Sequence, residues 1–325
     1  MARVALAGVG HWHAGMHLDA ARAAGAQVVA AWDPDPTVAA DFAARHGIRH
    51  ERTVEAVIAA RPDLAVVMGR PDQVPSLALA FIDAGLPIVL EKPAASSTAA
   101  LEPLAERARQ KGLFAAVPLP NRCGPIWAEI ATLKAAGRLG PISHAQFRIV
   151  NGPPERYRLD GVPWVLDKAV GGGGALRNLG IHGIDAALAL AGDAELAVVS
   201  ASVDRRLYGE AVEEYAIVTL RATDGMIATV EAGYTYASMA AGGDFEWRVS
   251  ARNATLLDRG DTCRVATLDD GRSRDLVPIP PADRYKAFMA DTLHRLARGA
   301  APSVGIGDYL RAMRVIDRAY EEAGA

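Results

Sequence analysis

Cysteine is nearly absent: the 325 residues hold two, Cys123 and Cys263, far apart in the chain. That excludes a disulfide framework, matches no zinc-ligand spacing, and fits a reducing cytosol. An excess of cationic charge is missing as well. The formal net charge is -3, so there is no basic footprint for nucleic acid and no charged run that reads as a tail or membrane-binding patch. No apolar run is long enough to span a bilayer. The amino terminus enters a strand at once, carries only Arg3 as a cation and reaches glycines before an apolar leader could form, so no secretory signal is expected. What remains is a cytoplasmic globular chain whose partners are small molecules, with neither nucleic acid nor membrane among them. Half of its residues are hydrophobic, enough to bury a sizeable core, and its length suggests about two domains.

From the start to residue 120, apolar runs at 4–7, 27–32, 64–68, 88–90 and 114–117 alternate with helical stretches, which predicts a doubly wound parallel sheet. Gly25, Gly47, Gly85 and Gly112 punctuate the units as helix C-caps. A boundary is expected near Leu119-Pro120-Asn121. Beyond it a helix at 126–136 is followed by alternating segments at 143–150, 197–205, 214–221, 226–236 and 245–251, a mostly antiparallel sheet. One face of that sheet would carry core and the other is semi-polar, a candidate contact with a second subunit. Leu310, Met313, Ile316 and Tyr320 recur at helical spacing in a last helix that Asp308 can cap. The organisation expected is an α/β Rossmann-type domain over 1–120, an α+β substrate and oligomerisation domain over 121–302, and a C-terminal helix over 303–325 able to pack back on the first domain.

The first strand runs into Gly8-Val9-Gly10 and then a helix-like segment, His11 to Ala24. This is a dinucleotide-binding opening: the first glycine permits the tight turn, and the second lets backbone approach a pyrophosphate at the positive end of the helix. His13 stands where the third glycine of the fingerprint belongs, and Val9, His11, Trp12 and His13 complete the candidate cofactor loop. About twenty residues on, the second strand ends at Asp33, the place for a carboxylate that binds ribose hydroxyls; Asp33 could instead cap the helix expected over 37–45. Pro34-Asp35-Pro36 follows with no Arg or Lys, so a 2′-phosphate would meet negative charge, and NAD rather than NADP is the expected cofactor. Arg70 and Pro71, after the third strand, are further cofactor candidates. His13 and His17 are four apart, but no carboxylate or cysteine nearby completes a metal set with His11, so cofactor contact or surface placement is expected and no metal.

Glu91-Lys92-Pro93 follows the apolar run Ile88-Val89-Leu90. A charged residue leaving the carboxyl end of a parallel strand faces the ligand crevice, so Lys92 is poised for chemistry, with Glu91 beside the cofactor; the alternative is a solvated turn. The Lys92–Pro93 bond is a candidate cis peptide. Later, four glycines, Gly171 to Gly174, lead into Ala175-Leu176-Arg177-Asn178-Leu179-Gly180-Ile181-His182-Gly183-Ile184-Asp185. On a helix Asn178 and His182 share one face, and Asp185 can reach back to orient the imidazole. The glycines either let backbone approach a ligand closely or form a flexible linker.

Taken together, Gly8-Val9-Gly10, Asp33, Glu91-Lys92-Pro93 and the stretch Gly172 to Asp185, with Asn121-Arg122 and Gly137-Arg138-Leu139-Gly140, resemble the glucose-fructose oxidoreductase / inositol dehydrogenase / MocA (Gfo/Idh/MocA) family over essentially the whole length. The resemblance implies a nucleotide-binding first domain, a second domain with a large open sheet, and NAD(P)-dependent hydride transfer to or from a sugar, cyclitol or related polyol. It places Lys92 beside the nicotinamide and the reacting carbon, gives His182 the hydroxyl proton, and puts Asn178 where relatives carry an aspartate that helps hold the oxygen. Arg122, Tyr157, Trp164 and Asp167, before the glycine run, and Tyr234 and Tyr236, after it, would suit a sugar ring, though the aromatics serve equally well as packing residues. A homodimer or homotetramer through the second-domain sheet is expected. Besides Asn178, the pattern departs at Pro75, where many relatives have histidine, and at His13. Two other readings stay open: a redox-neutral elimination or hydrolysis through transient oxidation by NAD, and a non-catalytic NAD-binding sensor.

Overall fold

The computed structural model describes residues 1–240, 242–269 and 271–325. Five parallel strands, β1 (Arg3–Ala7), β2 (Gln27–Trp32), β3 (Leu64–Val67), β4 (Ile88–Leu90) and β5 (Ala115–Ala116), lie in the order β2-β1-β3-β4-β5. They are joined by helices α1 (Ala14–Ala23), α2 (Pro36–His46), α3 (Val54–Ala59), α4 (Val74–Asp83) and α5 (Thr98–Gln110). Alternate residues of β1 feed different cores: Val4 and Leu6 face α1, while Ala5 and Ala7 face the core that holds α4 and α5. A sheet covered on both faces must be apolar throughout, which is why these strands read as unbroken hydrophobic runs. The order reverses between β1 and β3, and the crevice outside their carboxyl ends is where such folds take ligands.

The helix expected from His11 starts at Ala14. The turn begun at Gly8 consumes residues 11–13, with the His11 N–H donating to the Gly8 carbonyl (3.1 Å) and the Ala14 N–H to the His11 carbonyl (2.9 Å). Gly25, Gly47, Gly85 and Gly112 all adopt the left-handed conformation expected after helix ends. The Lys92–Pro93 peptide is cis.

After α6 (Pro125–Ala135) the second sheet is built from β6 (Ile142–Asn151), β7 (Leu196–Asp204), β8 (Tyr215–Ala222), β9 (Ile227–Gly233), β10 (Gly243–Ala251), β11 (Ala254–Asp258), β12 (Cys263–Thr267) and β13 (Ser273–Asp275), ordered β13-β12-β11-β10-β6-β9-β8-β7. Every pairing is antiparallel except β6 with β9. Between β6 and β7 come the short helices α7 (Glu155–Leu159) and α8 (Lys168–Gly171), a π-helical turn at Leu176–Gly180, and α9 (Ile181–Ala191). Phe147, Val218, Val230 and Trp247 point to the covered face, and α6 and α9 pack there. Ile217, Thr219, Arg221, Ile227 and Thr229 line the opposite, open face.

Two helices near the carboxyl end return to the first domain. Tyr285, Phe288 and Met289 of α10 (Arg284–Ala297) pack with Val4, Leu6 and Leu18, against α1. The last helix, α11 (Ile306–Ala323), lies on α5, α9 and β7, and its lead-in pairs with the edge of the parallel sheet through Ala116 and Gly305. Both α10 and α11 thus touch the first domain as well as the second. Asp308 is not the N-cap of α11; that position is Gly305, and Asp308, three residues on, accepts the Gly305 N–H (2.9 Å). Among the described residues no helix is long and apolar enough to cross a membrane.

One ion pair ties α10 to the second sheet. Arg284, fully buried, donates from Nη2 to both oxygens of the equally buried Asp258 (2.9 and 2.8 Å) and from Nε to the Ile279 carbonyl (2.9 Å). Arg284→Ala would strand the Asp258 carboxylate without a counter-charge and should cost about 3–5 kcal/mol of stability. Urea unfolding with a loss under about 1 kcal/mol, the scale of an exposed pair, would contradict it.

Candidate active site

A cleft of about 590 Å³ lies at the carboxyl ends of β1–β3, walled by Gly8, Gly10, His11, Asp33, Arg70 and, from the second domain, Trp164. The loop cannot carry side chains where it is tightest. Gly8 has φ +85°, and a Cβ there would come within 2.0 Å of the Met68 carbonyl oxygen. The Asp33 carboxylate accepts the Gly10 N–H (2.7 Å) and the Asp35 N–H (3.0 Å), and its half-burial raises its pKa against those two donors. The helix-cap role that Asp33 could have taken belongs to Asp35, which accepts from Thr37 and Val38 at the start of α2. No side chain caps α1 and no acid sits in its first turn, so the positive end of the helix carries no compensating charge, although the Ala14 N–H is already taken by the His11 carbonyl (2.9 Å). On the same wall His11 Nε2 is buried without a partner among the described residues. Glycine loop, uncapped helix start and terminal acid suit a dinucleotide, with Asp33 for ribose and the Gly8–Gly10 backbone for the pyrophosphate.

Val9 turns its side chain into the core and Pro71 is buried, so neither offers more than backbone to the cleft; Arg70 is exposed and pairs with Asp72 (2.8 Å). Glu91 lines neither this cleft nor the neighbouring cavity. It is buried, accepting from His13 Nδ1 (3.1 Å), His17 Nε2 (2.5 Å) and the Lys92 backbone N–H (3.1 Å). Burial alone would raise its pKa, but the two histidines hold it well below the usual carboxylate range.

A second cavity, about 240 Å³, is lined by His13, Lys92, Asn121, Asn151, His182 and Tyr285, among others. Lys92 Nζ donates to Asn178 Oδ1 (3.2 Å) and lies 5.7 Å from the Trp12 ring centroid. Burial lowers the Lys92 pKa, opposed by Glu91. Burial and then the Lys92 charge push His182 well below its ordinary value, so the imidazole is neutral near pH 7.

The polar network around His182 differs from the expectation. Asp185 does not orient the imidazole: His182 Nδ1 has no partner among the described residues, and Asp185 instead meets Arg122 Nη1 (3.4 Å). Burial raises Asp185 to about 6 in spite of that cation. The regular helix assumed for the Asn178–His182 spacing is also replaced, at Leu176–Gly180, by a π-helical turn, a distortion frequent at functional sites. Asn178 spends its amide fully, Nδ2 donating to Tyr234 (3.1 Å) and Tyr157 (3.3 Å) while Oδ1 takes Lys92. The glycine run is packed rather than a linker. At Gly172, φ +73°, a Cβ would overlap the Ser96 carbonyl oxygen at 1.7 Å, holding the run against the loop that follows Lys92.

With that geometry in place the family can be decided. Residues 2–118 match the oxidoreductase family with an NAD-binding Rossmann fold, and residues 127–256 match the GFO/IDH/MocA C-terminal domain. The chain belongs to the Gfo/Idh/MocA family. It is therefore an oxidoreductase with NAD as its cofactor. A 1,5-anhydro-D-fructose reductase of Ensifer adhaerens is 25% identical over 280 residues, spanning 84% of this chain and 81% of that relative. A putative UDP-kanosamine synthase oxidoreductase subunit of Amycolatopsis mediterranei is 32% identical over 172 residues, 52% of this chain and 45% of the other. In structure the chain is similar to a levoglucosan dehydrogenase crystallised with NADH and levoglucosan (TM-score 0.87, 19% identity, 99% and 97% covered). It is also similar to an Agrobacterium radiobacter oxidoreductase crystallised with NAD+, L-tartaric acid and magnesium (TM-score 0.85, 19% identity, 99% and 96% covered).

Within this Gfo/Idh/MocA chain the four substrate candidates that precede the glycine run scatter, while of the two that follow it Tyr234 is buried on Asn178 and Tyr236 is exposed. Trp164 walls the cofactor cleft and lies 5.4 Å, centroid to centroid, from Trp12, which itself stacks on His11. Tyr157 is buried on Asn178, its hydroxyl pushed up to about 12 by burial. Asp167 is exposed and caps α8 through the Ala169 N–H (2.9 Å), and Arg122 is spent on Asp185. None of the four is among the residues lining the Lys92 cavity. Missing from the sequence reading were Tyr285 and Asn151 in that cavity, and Glu213, which accepts the Gly174 and Leu176 N–H groups (2.8 and 2.9 Å) at the start of the π-turn. An acid at a helix start is a readable signal when it is adjacent in sequence; Glu213 lies on a different segment.

Proposed function

We propose that the chain transfers hydride between NAD and a CH–OH carbon of a sugar, cyclitol or related polyol, with Lys92 and His182 as the acid–base pair. The observation that carries this is the meeting of Lys92 and neutral His182 in one small cavity beside the Rossmann cleft. NAD supplies the hydride acceptor or donor. The chain's residues supply the rest: His182 takes the hydroxyl proton, and a base that is neutral at working pH does this best. Lys92 donates to the same oxygen and, with its pKa lowered by burial, can exchange a proton with it. Asn178 holds Lys92 on its other side. The sugar-named relatives support the substrate class. A screen of sugars and cyclitols with NAD tests the reading: reduced cofactor should accumulate with at least one, and turnover without net reduction would favour the redox-neutral chemistry instead.

Cofactor choice follows from Asp33. NAD should bind better than NADP, and Asp33→Ala should weaken NAD binding by about 1 to 3 kcal/mol, the cost of charge-assisted hydrogen bonds left unmade. Titration of both cofactors checks this; equal or tighter NADP binding overturns it. For assembly, the open face of the second sheet, with Ile217 40% and Ile227 36% exposed, suits a second copy of the chain. Light scattering should then report a dimer or tetramer, and Ile217→Arg should shift it toward monomer.

A further inference from the structure

We propose that His13 reads a second hydroxyl of the substrate, its Nε2 accepting a hydrogen bond from a hydroxyl other than the one that surrenders its proton to His182. This rests on the polyol reading above and narrows it to substrates with at least two hydroxyls on one face of a small ring. The dinucleotide fingerprint calls for glycine at this position, where close helix-to-strand packing leaves little room. Here the side chain is present and turns away from the cofactor cleft, whose walls do not include it, into the cavity shared by Lys92 and His182.

The tautomer follows from what surrounds the ring. Glu91 Oε1 lies 3.1 Å from His13 Nδ1, and a carboxylate can only accept, so Nδ1 carries the proton. The Tyr285 hydroxyl, 2.9 Å from the same nitrogen, can accept from that N–H as well, which leaves Nε2 as the ring's free lone pair. Burial, the largest influence, pulls His13 down to about 4 against the opposing pull of Glu91, so the ring is a neutral acceptor near pH 7. Trp12 and Tyr285 pack edge-on at 4.8 and 5.4 Å and fix its plane. A carboxylate behind a histidine sets the orientation and basicity of the opposite nitrogen. His182, by contrast, has no such partner among the described residues. Lys92 as donor, His182 as base and His13 as acceptor make a three-point site for adjacent oxygens, a specificity device stronger than shape alone, because a missing hydroxyl leaves the acceptor without its partner in the complex.

Two measurements on the NAD-loaded protein test it. With ¹⁵N-labelled histidine, NMR should assign to His13, by its loss in His13→Gln, a neutral ring protonated on Nδ1; a ring protonated on Nε2 or on both nitrogens overturns the proposal. Binding of levoglucosan, 1,5-anhydro-D-glucitol and myo-inositol is then measured on the NADH-loaded enzyme. His13→Ala should weaken the tightest of the three by about tenfold, as expected for one lost hydrogen bond, and His13→Gln should recover part of it. Unchanged sugar affinity in His13→Ala, or a parallel loss of NADH affinity, marks His13 as a structural part of the cofactor loop and sinks this proposal alone. If none of the three binds the wild-type enzyme, the polyol reading falls and this one with it.

Discussion

Lys92→Ala is expected to leave folding and NAD binding nearly intact while lowering turnover by roughly two to four orders of magnitude, the range for a positioned acid–base group. The residue is 3% exposed, its Nζ has Asn178 as its hydrogen-bonding partner, and among the described residues no carboxylate lies within ion-pairing distance to hold it as a structural cation. A buried ammonium without a counter-ion is costly, and folds retain one chiefly where it acts. Lys92→Met separates the two roles: it keeps a long apolar side chain in the buried position and drops the ammonium, so it should fold at least as well as wild type and still fail to turn over. Steady-state assay on any polyol that reduces NAD gives the result, and activity within a few-fold of wild type would remove Lys92 from the mechanism.

What the sequence disclosed of this site follows physical range. The βαβ units, Gly8, the cis Lys92–Pro93 bond and the left-handed glycines are local matters, decided within a few residues by hydrophobic period and backbone sterics, and they were legible. Strands β11 to β13 and helix α10 were not, because Ala254–Asp258 and Cys263–Thr267 are short and partly polar and depend on strand pairing, β11 with β10 and β12 with β11. Tyr285 could not be placed beside His13 without knowing that α10 crosses back over α1. Asp185 was misread for a related reason: helical spacing brings it near His182, but Arg122, far off in sequence, competes for the carboxylate and wins. Charge pairs over long separations override i, i+3 neighbours, whose own attraction amounts to only about 0.2–0.5 kcal/mol.

The same network sets the expected outcome at Asn178 and His182. Asn178 can carry no proton, and its three contacts join Lys92 to the hydroxyls of Tyr157 and Tyr234. Asn178→Ala would leave Lys92 Nζ only the backbone carbonyl of residue 178 (3.4 Å) and leave two buried phenols unbridged, so it should chiefly weaken substrate binding, raising KM with a smaller loss in kcat. His182→Ala removes the group that takes the proton and should chiefly lower the rate of hydride transfer, by roughly two to four orders of magnitude. Asn178→Asp is the informative companion. A carboxylate there would pair with Lys92 and raise its pKa, and it would accept from both tyrosines instead of donating, so binding should change more than the step at His182. Pre-steady-state appearance of reduced cofactor separates binding from transfer. If His182→Ala transfers hydride at the wild-type rate while Asn178→Ala abolishes it, the proton leaves by another path, and the redox-neutral and sensor readings regain their standing.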